Sequence, residues 1–231
     1  MKRLWRTAGA FCIAYVVLLL AGYSQQRSPA FGASPRSIVS LYSSVPAGKM
    51  YAGAVLVTAA SLALLTAFTL IARLLRGQTD TSGWFSALII AATTAAAAVT
   101  LVGSYGGAFA AYYGATHGFG ADTVAGLNMI SKFSDLIAMG ASGLSALAVG
   151  GAGLASGRLP RWTAWISIVV GLVGIVSGTG PAQLNLGTLV WFAWVIMLGV
   201  VLLRGKARRA PAVGDGPSED LATYRVAADL S

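Results

Sequence analysis

MYAGAVLVTAASLALLTAFTLIA, residues 50–72, runs 23 residues without a charged side chain. As an α-helix rising 1.5 Å per residue it is about 34 Å long. That is enough to cross the roughly 30 Å hydrocarbon layer of a bilayer. Nothing in the run alternates apolar and polar side chains as a barrel strand would. A helix is then the structure that satisfies its backbone in lipid.

The same reading extends in both directions. Apolar runs of this kind place further spans at about 7–23, 84–106, 134–156, 162–180 and 184–203, which with 50–72 makes six. The third run stays uncharged as far as Thr116, longer than one crossing needs. Composition agrees: 56% of residues are hydrophobic and 10% charged, against about 25% charged in soluble domains. Mean hydropathy is +0.74. The fold class is all-α, a polytopic membrane bundle of six transmembrane helices.

Orientation follows from the basic residues. With the N-terminus inside, the cytoplasmic segments carry Lys2, Arg3 and Arg6, then Arg73 and Arg76, then Arg158 and Arg161, then Arg204, Lys206, Arg208, Arg209 and Arg225. Arg27, Arg36, Lys49 and Lys132 are left outside. This bias predicts N-in and C-in. The net charge of +9 is then an orientation signal and an attraction to anionic lipid at the cytoplasmic face. It does not call for nucleic acid. The first run has basic residues ahead of a short apolar core, as a signal peptide does. GYSQQR after it is a poor cleavage site, so an uncleaved helix is expected.

Between the first two spans, residues 24–49 form the longest loop. Within it SPRSIVSLYSS offers Ser34 as an N-cap and Pro35 at the first helical position. A short helix is expected here, with Ile38, Val39, Leu41 and Tyr42 on one face, covering the outer end of the bundle. The turns SGRLPRW and TGPAQ are too short for anything but antiparallel hairpins between spans four, five and six. Gly103 and Gly107, and Gly174 and Gly178, stand four apart, the spacing that lets helices approach closely. The tail 204–231 is basic and then rich in Gly, Pro and acidic residues, so it is expected to be disordered in the cytoplasm. Its cluster of Arg204, Lys206, Arg208 and Arg209 is expected to face anionic lipid.

Few residues could carry chemistry. One His and one Cys cannot build a zinc or bis-histidine haem site, so no metal and no cofactor are expected. GASG, 140–143, matches the GxSG around a rhomboid protease's nucleophile. Ser142 would need a base to take its proton, and the only His is His117, between spans three and four. The match is read as chance and the protein as non-enzymatic. Spans one, two, three, five and six hold no ionisable core residue, which argues against an ion-coupled pump.

That leaves LNMISKFSDLIAMG, 127–140. A helix begun at Asp122 or Thr123 and ended near Ser156 would be about 50 Å long, longer than the membrane is thick. Lys132 and Asp135 would then sit at the outer boundary, where a charge is cheap. In one reading they mark that boundary and nothing more. In the other, Asn128, Lys132 and Asp135 line an outer pocket with Tyr105, Tyr112, Tyr113 and His117.

The stretches AGAFCIAYVVLLLAGY, PAFGASPRSIVSLY, SGRLPRWTAWISIVVGLVGIV and LVWFAWVIMLGVVLLR together resemble a group of uncharacterised actinobacterial multi-pass membrane proteins of the DUF4386-type family, whose function is unknown. The resemblance spans the chain to about Arg204, and the LPRW turn is its most specific part. It implies six helices in the cytoplasmic (inner) membrane and supplies no active site. SKFSD departs from it in being more basic. The expected function is that of an integral membrane protein acting through a membrane partner or lipid. The alternative is a permease-like protein for a small neutral or lipidic solute.

Overall fold

The computed structural model describes residues 2–25, 28–77 and 80–204. Its helices are α1 (Lys2–Gln25), α2 (Pro35–Ser43), α3 (Ala47–Leu75), α4 (Asp80–Ala98), α5 (Gly106–Thr116), α6 (Ala121–Ser156), α7 (Arg161–Ser177) and α8 (Pro181–Leu203). A π-helical segment, Val99–Tyr105, joins α4 to α5 without a break. Among the described residues there is no strand. Five helices are long and apolar enough to cross a membrane: α1, α3, the rod Gly83–Thr116, α6 and most of α8. The sixth apolar helix, α7, has 17 residues, about 26 Å.

The long helices close into a ring in which α1 packs on α3 and α8, α3 on α4, α4 on α6, α6 on α7, and α7 on α8. Side chains such as Val55, Val102, Ile137, Trp165, Val169 and Leu186 point outward and are exposed. A soluble monomer rarely tolerates so large an apolar perimeter. This is the apolar helical bundle that suits a bilayer.

Both glycine pairs sit against α6. A Cβ at Gly107 would lie 2.8 Å from the Ser131 backbone nitrogen, and one at Gly174 would lie 2.7 Å from the Gly143 Cα. Any side chain there would force the helices apart. At the other end of α6, Gly157 turns the chain with φ 62°, a left-handed conformation that suits glycine. The next residue, Arg158, donates from Nη1 to the Leu74 and Arg76 carbonyls at 2.7 and 3.1 Å. Those carbonyls lie at the end of α3, where helical partners run out.

At the opposite end the long rods project and carry a small cap. Ile38 and Tyr42 of α2 bury against Ala111 of α5 and Val124 of α6. Ser34 caps α2, accepting from the Ser37 amide at 3.4 Å, and Pro35 opens it. Val39 and Leu41 are half-buried beside them. Tyr42 donates its hydroxyl to Asn128 Oδ1 at 2.8 Å. Burial first, and then the Asp135 charge, push the Tyr42 hydroxyl above its ordinary pKa, so it keeps its proton and stays a donor.

Several boundaries differ from the sequence reading, α1 and α3 among them, which run 2–25 and 47–75. The third apolar run stays helical past 106 to Thr116, because the π turn continues the ladder of bonds instead of breaking it. Helix α6 starts from Gly120, whose extended backbone serves as the cap with no side-chain bond. Asp122 lies inside the first turn, where its charge suits the helix dipole. Helix α7 ends at Ser177, three residues short of the expected 180.

Candidate functional site

The helices α1, α3, α4, α6 and α8, with the π segment, surround a cavity of about 910 Å³. Cavities of this size accommodate drug-sized or larger ligands. Along α6 its lining runs from Ser131 to Ser142, roughly 16 Å of helix. The two ends differ chemically.

One end is polar. Here the loop Ser28–Phe31 lines the cavity beside Lys132. The Lys132 ammonium donates to the Ser28 hydroxyl. It also stands 5.6 Å from the Phe31 ring centroid, within cation–π range. Lys132 is only 8% exposed, so its charge is held inside the protein. Asp135 follows one turn deeper, half-buried and lining the same cavity. Ser104, Tyr105 and Tyr23 line the wall near it. The Tyr23 and Tyr105 rings are nearly parallel, 13° apart, with centroids 6.4 Å apart. The Tyr105 hydroxyl is buried and has no hydrogen-bond partner among the described residues. Leaving such a group unpaired costs about 1–3 kcal/mol.

The other end is uncharged and mostly apolar, with Ser142 in its wall. Leu19, Leu64, Ala96, Ala97, Met139 and Leu189 line it. Tyr15 and Trp191 also line it, and Trp191 Nε1 donates to the Tyr15 hydroxyl at 3.1 Å. Trp191 stacks on Phe68 with centroids 6.1 Å apart and lies 5.1 Å from Trp194. Trp194 Nε1 in turn donates to Ser167 Oγ at 3.0 Å. Each indole N–H thus has a partner, which suits a buried floor.

The π segment explains how polar groups reach the wall. Residues five apart on an α-helix diverge by about 140°. The wider π turn, bonded i→i+5, brings them back to one side. Thr100 and Tyr105 accordingly line the same cavity, with Ser104 between them. Ser131 Oγ donates to the Ser104 carbonyl at 2.7 Å, tying this turn to α6.

The residues that the sequence groups into one pocket are divided here. Lys132, Asp135 and Tyr105 line the cavity. Asn128 turns to Tyr42 and lines a smaller cavity of about 160 Å³ that also touches Lys132. Tyr112 packs beside the α2 cap. Tyr113 stacks on His117 at 3.8 Å between centroids, and the His117 Nδ1 lies 2.9 Å from the Tyr113 carbonyl. That pair is exposed at the end of α5. Sequence reasoning missed Tyr15, Tyr23, Ser28, Phe31 and Trp191. Two of them carried a signal: Tyr15 and Trp191 have polar handles in mid-span, away from the interfacial belts where Tyr and Trp usually sit.

Ser142 of the GASG stretch lies in the cavity wall. It is 21 residues along α6 from Ala121, about 30 Å, while His117 precedes that helix. Among the described residues no three His, Cys, Asp or Glu side chains gather into a possible metal site. Arg204 ends α8, exposed; Lys206, Arg208, Arg209 and the rest of the expected tail lie outside the described residues. Compared with family models, curated proteins and solved structures, the chain finds no match. The DUF4386-type resemblance therefore rests on the quoted stretches alone.

Proposed function

We propose that this is an integral membrane protein that binds an amphiphilic, lipidic molecule in the cavity and exchanges it with the outer side of the membrane. The single observation that carries the reading is the polarity gradient inside one cavity. Lys132 and Asp135 stand at one end, and the other carries no charge, with leucine, alanine, methionine and tryptophan lining it beside the Ser142 hydroxyl. A wholly ionic solute would leave the deep end, which holds hydroxyls but no charge, without matching partners. A plain hydrocarbon would leave a buried lysine and a carboxylate facing apolar atoms, an expensive arrangement.

The reading includes six spans, with α7 as a short sixth, and both termini on the cytoplasmic side. The basic residues of the loops support that orientation. The charged mouth and the α2 cap then face outward, and the loop Ser28–Phe31 lies over the entrance. A membrane-impermeant thiol reagent tests this side assignment. In intact cells it should label Gly120→Cys and leave Arg204→Cys unlabelled; the reverse pattern contradicts it. Cys12 is buried and gives little background.

The binding itself is tested by native mass spectrometry of protein released gently from its own membrane. Wild type should retain a ligand of several hundred daltons. Ala97→Phe, which fills the deep end, should lose it. Equal retention by the two proteins would count against the cavity as the site.

A further inference from the structure

On α8, Gly199, Phe192 and Thr188 share one side, because steps of seven and eleven residues each return to within about 20° of the starting direction. That side meets α1 differently at each level. At Gly199 the two backbones touch, and a Cβ on Gly9 would lie 2.6 Å from the Gly199 carbonyl oxygen. Nearer mid-height the contact passes to long side chains, with Trp191 Nε1 donating to the Tyr15 hydroxyl at 3.1 Å. Phe192 and Thr188, about 10 and 16 Å along the helix from Gly199, are half-buried and line the cavity. The two helices thus form a wedge, clasped at one end and parted at the other.

Leu189 stands at the edge of this wedge. It lines the cavity and yet is 67% exposed. On α3 and α4 the lining residues Ser61, Leu64, Ala96 and Ala97 are all buried. The cavity therefore opens sideways where α8 parts from α1. We propose that this wedge is a lateral portal. Through it one acyl chain of a two-chain membrane lipid enters the cavity, while the second chain stays in the bilayer. This assignment rests on the amphiphile reading above and names both its ligand class and its route.

Three observations converge on it. The first is depth. A Cβ on Gly187 would lie 3.3 Å from the Met139 methyl, so Gly187 is level with Met139. Met139 is four residues, about 6 Å, further from the charged end than Asp135. Thr188 and Leu189 follow Gly187 in the same direction. Charges and then portal is the order in which headgroups and chains lie in one leaflet.

The second is the face on which the portal opens. Leu186 and Ile196 flank Leu189 along α8 and are exposed. They belong to the apolar perimeter that suits lipid, so the opening meets hydrocarbon.

The third is the alternative route. At the charged end the loop is tied down, with Ser28 accepting from Lys132 and the Phe31 ring beside the ammonium. A chain arriving there would expose its methylenes to water on the way, which is costly for each one. Through the wedge it passes from hydrocarbon to hydrocarbon.

The test is lipid retention by the full-length protein in nanodiscs, read by native mass spectrometry after gentle release. The probes are phosphatidylglycerol and lysophosphatidylglycerol of the same chain length, whose shared headgroup cancels from the comparison. Wild type should retain both. Leu189→Cys carrying fluorescein maleimide has its portal blocked. Its retention of phosphatidylglycerol should fall about tenfold or more, the scale of forcing extra volume into a filled space. Lysophosphatidylglycerol has no second chain to pass through the wedge and should be retained as by wild type, which also shows that the labelled protein is folded. Leu186→Cys with the same label, exposed but outside the cavity lining, should match wild type for both lipids. Cys12 is buried, so the label reports the introduced cysteine.

Undiminished retention of phosphatidylglycerol by labelled Leu189→Cys would overturn the portal while leaving the amphiphile reading standing. So would equal loss of both lipids from it, or an equal effect of the label at Leu186→Cys. Retention of lysophosphatidylglycerol alone by wild type would overturn the two-chain assignment. Retention of neither lipid by wild type would overturn both readings.

Discussion

Helix α6 has two unlike sides. Toward α7 it presents Gly143 and Gly150, which meet Gly171, Gly174, Ala164 and Ile168 so closely that no added methyl fits. Toward α1, α3 and the π segment it presents Ser131, Lys132, Asp135, Met139 and Ser142 around a cavity of about 910 Å³. One side of the helix removes space and the other preserves it. In a bilayer the hydrophobic effect does not drive helices together, so close packing of small residues must do so. The α6–α7 seam supplies that rigidity, and the opposite wall can then stay open without the bundle collapsing.

Substitutions on the two sides should therefore have opposite signatures. The largest loss of stability is expected at Gly174→Leu, whose side chain would begin 2.7 Å from Gly143 Cα. Overpacking of this kind typically costs about 1–3 kcal/mol, and a lowered thermal unfolding midpoint in detergent would register it. A midpoint unchanged from wild type would mean that the seam is softer than its geometry suggests.

Next comes the cap. Tyr42→Phe leaves Asn128 Oδ1 without its donor at a buried site, at about 1–2 kcal/mol. Hydrogen exchange should speed up across residues 34–44 while the seam stays protected. Uniform acceleration across the chain would instead mean that cap and bundle unfold together.

The cavity floor should be less sensitive. Trp191→Phe removes the bond to Tyr15 but keeps an aromatic ring, for about 1 kcal/mol. Smallest of all in stability is Ala97→Phe, which adds a ring where space already exists. Its unfolding midpoint should move little, while its bound lipid should disappear. A strong destabilisation there would show that the wall is as tightly packed as the seam, and the contrast between the two sides of α6 would fail.

Much of the framework was legible in the sequence because it depends on local signals. Uninterrupted apolar runs mark α1, α3 and α8. Ser34 followed by Pro35 marks α2. The spacing of Gly103 with Gly107, and of Gly174 with Gly178, marks helices that approach closely, and both pairs do pack on α6.

The site was legible only in part, because it is assembled across the chain. Lys132 and Asp135 stood out as charges at the edge of an apolar run. Nothing in VTLVGSY announces a π turn, yet that turn brings Thr100, Ser104 and Tyr105 to one wall. Tyr112 follows Tyr105 at a helical spacing and looked like a pocket neighbour. It lies about 10 Å further along the rod, which carries it up to the α2 cap. The Phe31 ring over Lys132 joins residues about a hundred positions apart, a contact that no local pattern encodes.

The most direct test of the account is a density map of the protein purified into nanodiscs made from its own membrane lipids. The account predicts elongated density from Lys132 and Asp135 down to Trp191, with its bulkier end at the charges. A bundle in which Leu64 and Met139 close onto Trp191, with no room left between the helices, would contradict it.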